Sequence, residues 1–138
     1  MVQKLHVAKR PELFKTVTLQ DLESWFASAF RESVVKAWVA EVDGTIVGYA
    51  LTVQEGIAET LFTYERRWVE VEQVGVHPNY RRQGVARALL NRILQEVDKN
   101  SKLPLELNTW SFNKAASSAF GKLGFVERNV RREWRENR

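Results

Sequence analysis

The chain has no cysteine, which removes thiol nucleophiles, thiolate zinc sites and disulfide frameworks in one step. Its two histidines, His6 and His77, lie far apart and have no acidic or histidine neighbour at ligand spacing, so no metal site is read. No apolar run approaches the roughly 20 residues of a membrane span. The segment from Met1 to Arg10 interleaves basic residues with short apolar pairs and lacks the apolar core of a secretory signal. Only three prolines occur, and no stretch is rich in Pro, Gly and Ser, so no interdomain linker is marked. These absences leave a cytoplasmic protein with no membrane partner as the expectation.

What is present fits one folded unit. At 138 residues, the chain is expected to be a single domain spanning 1–138. With 44% apolar, 11% aromatic and 28% charged residues it has ordinary globular composition, which argues against disorder. Twenty-one basic residues against 17 acidic give a net charge of +4, which permits an anionic partner without naming one.

Apolar periodicity supplies the element order. Leu5 to Val7 reads as a short strand. Leu22, Trp25, Phe26, Ala29 and Phe30 recur at helical steps, with Asp21 near the helix start. From Ala37 to Val53 two β-rich stretches flank Asp43-Gly44, a strong hairpin signal. Gln54 to Arg66 reads as mostly loop and Trp68 to Val76 as a central strand. Val85, Ala86, Leu89, Leu90, Ile93, Leu94 and Val97 then form the stripe of a long helix. A strand over Leu103–Trp110, a helix from Asn113 to Lys122 stopped by Gly124, and a strand over Phe125–Trp134 complete the order β–α–β–β–β–α–β–α–β. The fold class expected is a mixed α/β sheet flanked by helices.

The chemistry concentrates in Arg81-Arg82-Gln83-Gly84-Val85-Ala86, between the central strand and the long helix. The first helical turn has amides without intrahelical partners and about half a positive charge, so it can bind phosphate. Glycine permits close approach, and two arginines add charge-assisted hydrogen bonds. On these six residues alone, a plain strand-to-helix turn with solvated arginines explains the pattern equally well.

With its neighbours, the hexapeptide resembles the acetyl-CoA loop of the GCN5-related N-acetyltransferase (GNAT) superfamily: Arg or Gln, two residues, Gly, one residue, Gly or Ala. The resemblance continues upstream as VEQVGVHPNY and downstream as NTWSFNKAASSAFGKLGF, covering roughly Trp68 to Phe125. It implies a centrally splayed sheet. It also implies that acetyl-CoA binds as cosubstrate, with the backbone of Val74, Gly75 and Val76 along the pantetheine arm and Arg81, Arg82, Gln83, Gly84, Val85 and Ala86 under the pyrophosphate. Asn113 matches an asparagine that contacts the cofactor, though Asn is also a favoured helix cap. Ala116 matches a small residue beside the cofactor, and Phe120 stands where the family usually has a tyrosine.

Acetyl transfer from a thioester to an amine makes three demands. An alkylamine has a pKa of about 10.4, so a base must take its proton near neutral pH. Counting back from Gly84, Glu70 matches the base of the histone-acetylating branch and Glu72 an acidic position of other branches. They share a strand face unless a bulge intervenes, and both could instead balance Arg66 and Arg67. The developing oxyanion needs donors, which backbone amides such as that of Val74 can supply. The departing thiolate is protonated by tyrosine elsewhere in the family. Here Phe120 has no proton to give, leaving unassisted departure, another donor (water, Tyr80 or Ser117), or a protein that binds acyl-CoA without turning it over.

The resulting expectation is an acetyl-CoA-dependent N-acetyltransferase that acts directly on a primary amine of a small molecule or peptide. The alternatives are a noncatalytic acyl-CoA-binding protein and a basic nucleic-acid module. Nucleic acid is set aside because Glu127, Glu133 and Glu136 dilute the run Arg128, Arg131, Arg132, Trp134, Arg135, Arg138. His77 reads as a loop residue, Trp25, Phe26, Trp38 and Trp68 as core or pocket wall, and a homodimer stays open.

Overall fold

The computed structural model describes residues 2–29 and 34–136. In chain order it has α1 (Val2–Lys9), α2 (Leu19–Ala29), β1 (Val35–Val42), β2 (Thr45–Ile57), β3 (Arg66–Val76), a 3-10 turn (Pro78–Tyr80), α3 (Val85–Asn100), β4 (Leu105–Leu107) and α4 (Lys114–Lys122). The chain divides into two compact units, Met1–Asn108 and Thr109–Arg138.

The first unit holds a four-stranded sheet in the order β1-β2-β3-β4. The β1/β2 and β2/β3 pairs are antiparallel, and β4 runs parallel to β3, so the sheet is mixed as expected. Asp43 and Gly44, with φ of 49° and 82°, turn the first hairpin in the left-handed conformations that a tight two-residue connection requires. Thr18 and Asp21 start α2 reciprocally: the Thr18 amide donates to Asp21 Oδ2 and the Asp21 amide to Thr18 Oγ1, both at 3.1 Å.

Helix α3 lies on one face of the sheet. A Cβ added to Gly48 would fall 2.8 Å from Val85 Cγ1, so the absence of a side chain there lets the first turn of α3 close onto β2. Ala50 and Thr52 follow Gly48 at two-residue steps on that face, where Thr52 Oγ1 accepts from the Trp38 indole N–H at 3.1 Å. Leu89, Leu90, Ile93 and Val97 form the buried stripe of α3. Each such large apolar side chain contributes about 1.5–3 kcal/mol. Leu94, expected in the stripe, is instead 41% exposed.

Two irregularities shape β3. Leu51 pairs with Gln73 but Thr52 pairs with Val71, so Glu72 has no counterpart on β2 and forms a bulge. On the other edge, β4 pairs only with Val69 to Val71. Beyond that point β3 continues to Val76, paired with β2 but with no strand on its other side among the described residues, which is the splay.

Several expectations are corrected. Leu5–Val7 lies within helix α1 rather than a strand, because three residues are too few to separate a period of 2 from one of 3.6. The strand expected over Leu103–Trp110 contracts to Leu105–Leu107. Phe125–Trp134 belongs to no strand, since alternation gives propensity but a ladder also needs an edge to pair with. Trp25 is 41% exposed rather than core. Phe30 and Arg138 lie outside the described residues, as does the side chain of Phe26.

In the second unit, Asn113 caps α4, its side chain accepting from the Ala116 amide at 3.2 Å. Phe120 meets Phe125 edge to face, with ring centroids 6.0 Å apart.

Candidate active site

The bulge divides β3 into halves of opposite alternation. Before it, Val69 and Val71 share the α3 face; after it, Val74 and Val76, paired with Ala50 and Gly48, do so. The opposite face carries Arg66, Trp68 and Glu70 before the bulge and Gln73 and Gly75 after it. Tyr49 lies across Gly75, where an added Cβ would sit 2.5 Å from Cε1 of the ring, and its hydroxyl donates to Gln73 Oε1 at 3.1 Å.

Glu70 and Glu72 are therefore not equivalent neighbours on a regular strand. Glu70 is half-buried: Oε2 accepts from the Trp68 indole N–H at 2.9 Å, and Oε1 from Asn108 Nδ2 at 3.3 Å. Glu72 stands exposed on the bulge. Partial burial, then the charges of Glu55 and Glu70, push its carboxyl above the usual glutamate range. Neither carboxylate balances Arg66, whose guanidinium pairs with Glu106 and lies 4.4 Å from the centroid of the Trp68 ring.

The open edge of β3 presents usable backbone. The His77 amide donates to the Val47 carbonyl of β2 at 2.8 Å, so strand alternation turns the N–H and C=O groups of Val76 and Val74 away from β2. Arg81 bends back, its Nε donating to the Val76 carbonyl at 3.4 Å. Gln83 Nε2 donates to the Asn79 carbonyl at 3.2 Å. Arg82 and Gly84 adopt left-handed φ of 61° and 82°, and Gly84 leads into α3 with no side-chain hydrogen bond capping the helix. Nothing lies within 4 Å of a Cβ placed on Gly84, so the space above the first turn, Val85 and Ala86, is clear on that side. His77 serves its own turn, Nδ1 accepting from the Asn79 amide at 3.2 Å, with Tyr80 edge-on to its ring.

Asn113, Ala116 and Phe120 form a local set in the second unit. Asn113 takes up the capping role that sequence reasoning had placed beside the cofactor contact. Ala116 and Phe120 are half-buried, and Ser117 is exposed. Sequence reasoning missed Trp68 and Asn108 as partners of Glu70, and Glu55 as a charge acting on Glu72. Trp68 and Glu70 stand two apart on a strand, a spacing that already puts both on one face. Neither the Asn108 contact nor the Glu55 influence has a local signal, since both depend on strand pairing.

The model of the Acetyltransferase (GNAT) family matches residues 1–125. A ribosomal protein bS18-alanine N-acetyltransferase of Escherichia coli is 30% identical over 112 residues, covering 81% of this chain and 68% of that protein. An uncharacterised N-acetyltransferase of Methanocaldococcus jannaschii is 29% identical over 97 residues, 70% of this chain and 42% of that one. Among solved structures, a tetramutant of the BH1408 protein from Bacillus halodurans superimposes with a TM-score of 0.86 at 19% identity, covering 98% of this chain and 87% of the other. The aminoglycoside N-acetyltransferase AAC(6')-Iy in complex with CoA superimposes at 0.73 with 17% identity, covering 98% and 86%.

Proposed function

The chain belongs to the Acetyltransferase (GNAT) family, and from that premise we propose that it uses acetyl-CoA to acetylate a primary amine directly, without a covalent enzyme intermediate. The observation that carries this reading is the open edge of β3 beyond Val71 running into the uncapped N-terminus of α3. An edge strand offers hydrogen bonds to an extended amide-bearing arm. A helix N-terminus offers amides and positive potential to a pyrophosphate. Val74, Gly75 and Val76 hold the arm in this proposal, and Arg81, Arg82, Gln83, Gly84, Val85 and Ala86 the phosphates. Asn113, Ala116 and Phe120 of the second unit are proposed as cofactor residues on their sequence motif alone. That the family match runs through the first compact unit and into the second, to residue 125, supports residues 1–138 as one acetyltransferase domain.

When bound, acetyl-CoA supplies the acetyl thioester. Glu72 takes the proton of the acceptor amine, for which a carboxylate with a raised pKa is better matched than an ordinary one. The Val74 amide, turned to the open edge, donates toward the negative charge that develops on the acetyl oxygen. Phe120 has no proton to offer, so water supplies the proton for the leaving thiolate. A thiol with a pKa of about 8.5 tolerates that arrangement.

The acceptor is an amine of a small molecule or a peptide. The relatives' names give a ribosomal protein alanine for one and aminoglycosides for another. Thiol release from acetyl-CoA against a panel of polyamines, amino acids, aminoglycosides and peptides tests the proposal. Turnover of at least one amine is expected. Tight acetyl-CoA binding with no turnover across the panel would favour the noncatalytic acyl-CoA-binding reading, to which Phe120 lends its only support.

A further inference from the structure

The two carboxylates of β3 live in different surroundings. Both oxygens of Glu70 are engaged, Oε2 by the Trp68 indole N–H and Oε1 by the Asn108 amide. One donor is on β3 and the other lies just beyond the end of β4. Trp68 shares the face of β3 with Glu70, and its ring is overlaid by the Arg66 guanidinium. Asn108 follows β4 immediately after Leu107, the last residue that β4 pairs with β3. The Asn108–Glu70 hydrogen bond therefore closes the point from which the strands part. The two hydrogen bonds fix the Glu70 carboxylate in place, and each occupies part of its acceptor capacity.

Glu72 is the opposite case. It stands on the bulge, and among the described residues it has no hydrogen-bond or ion-pair partner. Three other acidic groups and the cations Arg66 and Arg67 belong to the same region of the sheet, Arg67 pairing across from Gly56. Glu55 of β2 pairs across from Trp68, Glu70 is on β3, and Glu106 of β4 is spent on Arg66. Arg66, thus paired, does not offset the charges of Glu55 and Glu70 toward Glu72.

We propose that Glu70 is a positioning residue rather than a second base: clamped by Trp68 and Asn108, it is a fixed negative charge that keeps Glu72 poised to take the acceptor's proton. The upward displacement of the Glu72 carboxyl agrees with this, with Glu70 contributing after burial and Glu55. The proposal rests on Glu72 being the base, so its test is separated from that reading.

Titration of the glutamate side-chain carboxyl carbons by 13C NMR, on the full chain without ligand, reads each carboxylate directly and needs no acceptor. In Glu70→Gln the Glu72 midpoint moves to lower pH. In Asn108→Ala and Trp68→Phe it moves the same way by a smaller amount, as Glu70 loses the donors that hold its charge in place. A merely structural clamp would leave Glu72 unmoved. Glu70→Gln is nearly isosteric, so that arm decides even if a clamp variant folds poorly. An unmoved Glu72 midpoint in Glu70→Gln, alongside a large loss of turnover in Glu72→Gln, overturns the proposal and leaves the base reading intact. A moved midpoint with full turnover in Glu72→Gln overturns the base reading, and the role of Glu70 falls with it.

Discussion

A carboxylate placed on Gly84 tests whether phosphate lies over the first turn of α3. The position has φ of +82°, and nothing lies within 4 Å of an added Cβ, so a substitution pays conformational strain but meets no neighbour. Left-handed backbone costs an ordinary residue about 1–2 kcal/mol, and Asn and Asp tolerate it best. Gly84→Asn and Gly84→Asp therefore share nearly the same strain and shape and differ in one charge. A carboxylate about 5 Å from a phosphate group opposes it by about 1–3 kcal/mol between solvent-like and surface-like screening. That corresponds to about 5- to 150-fold in Kd. Calorimetric titration with CoA and acetyl-CoA measures it, with the ligand-induced rise in Tm as a second readout, because a ligand that binds only the folded state stabilises it in proportion to log affinity. Gly84→Asp should bind more weakly than Gly84→Asn by at least about fivefold, and added salt should shrink the gap. Affinities within about twofold of each other would remove the phosphates from this helix end.

Once an acceptor is in hand, Glu72→Gln should lower kcat/KM about 100-fold near neutral pH, and the deficit should narrow at high pH where free amine is present unaided. Because the Glu72 carboxyl is displaced upward, the wild-type rate should fall on acidification at a higher pH than an ordinary glutamate would give, in a kcat/KM profile. A carboxyl raised on folding adds stability at low pH that is lost as pH rises through its folded value, so Glu72→Gln should raise Tm at neutral pH but not below about pH 4. Gly75→Ala drives a methyl into the Tyr49 ring and should cost about 1–3 kcal/mol in chemical denaturation, with relief in a Tyr49→Ala background. Phe120→Tyr should change kcat by less than about tenfold if thiolate departure needs no protein acid; a rise beyond about 100-fold with unchanged acetyl-CoA affinity would show that protonation limits the natural chain.

Legibility followed the range of the forces involved. The stripe of α3 and the Asp43-Gly44 turn are written in neighbouring residues, and the fold reproduces both, with Leu94 the exception in the stripe. The first helix was misread because Leu5-His6-Val7 carries too short a pattern to fix a period. The alternation after Phe125 predicts a strand that the structure does not contain, because sheet membership depends on a partner edge that no local pattern encodes. The same distinction runs through the site. The Arg81–Ala86 loop is a contiguous motif that can be read from adjacent residues, whereas the different surroundings of Glu70 and Glu72 arise from a one-residue mismatch with β2 and a contact from the end of β4. Neither is visible two residues either side of the glutamates.

The bulge also bears on how the chain can change over time. Because Glu72 has no cross-strand counterpart, its side chain is released from the packing that constrains every paired neighbour. Substitutions there can explore acidic, neutral or smaller side chains with little damage to the sheet, so the chemistry of the position can drift separately from stability. Deleting the residue would make Val71 and Gln73 neighbours opposite Thr52 and Leu51, so Val74 and Val76 would keep the α3 face and the strand would become regular. What a deletion removes is the bulge and the side chain it carries. Neither packing nor register fixes the identity of this position, which therefore answers to what its side chain does rather than to the fold.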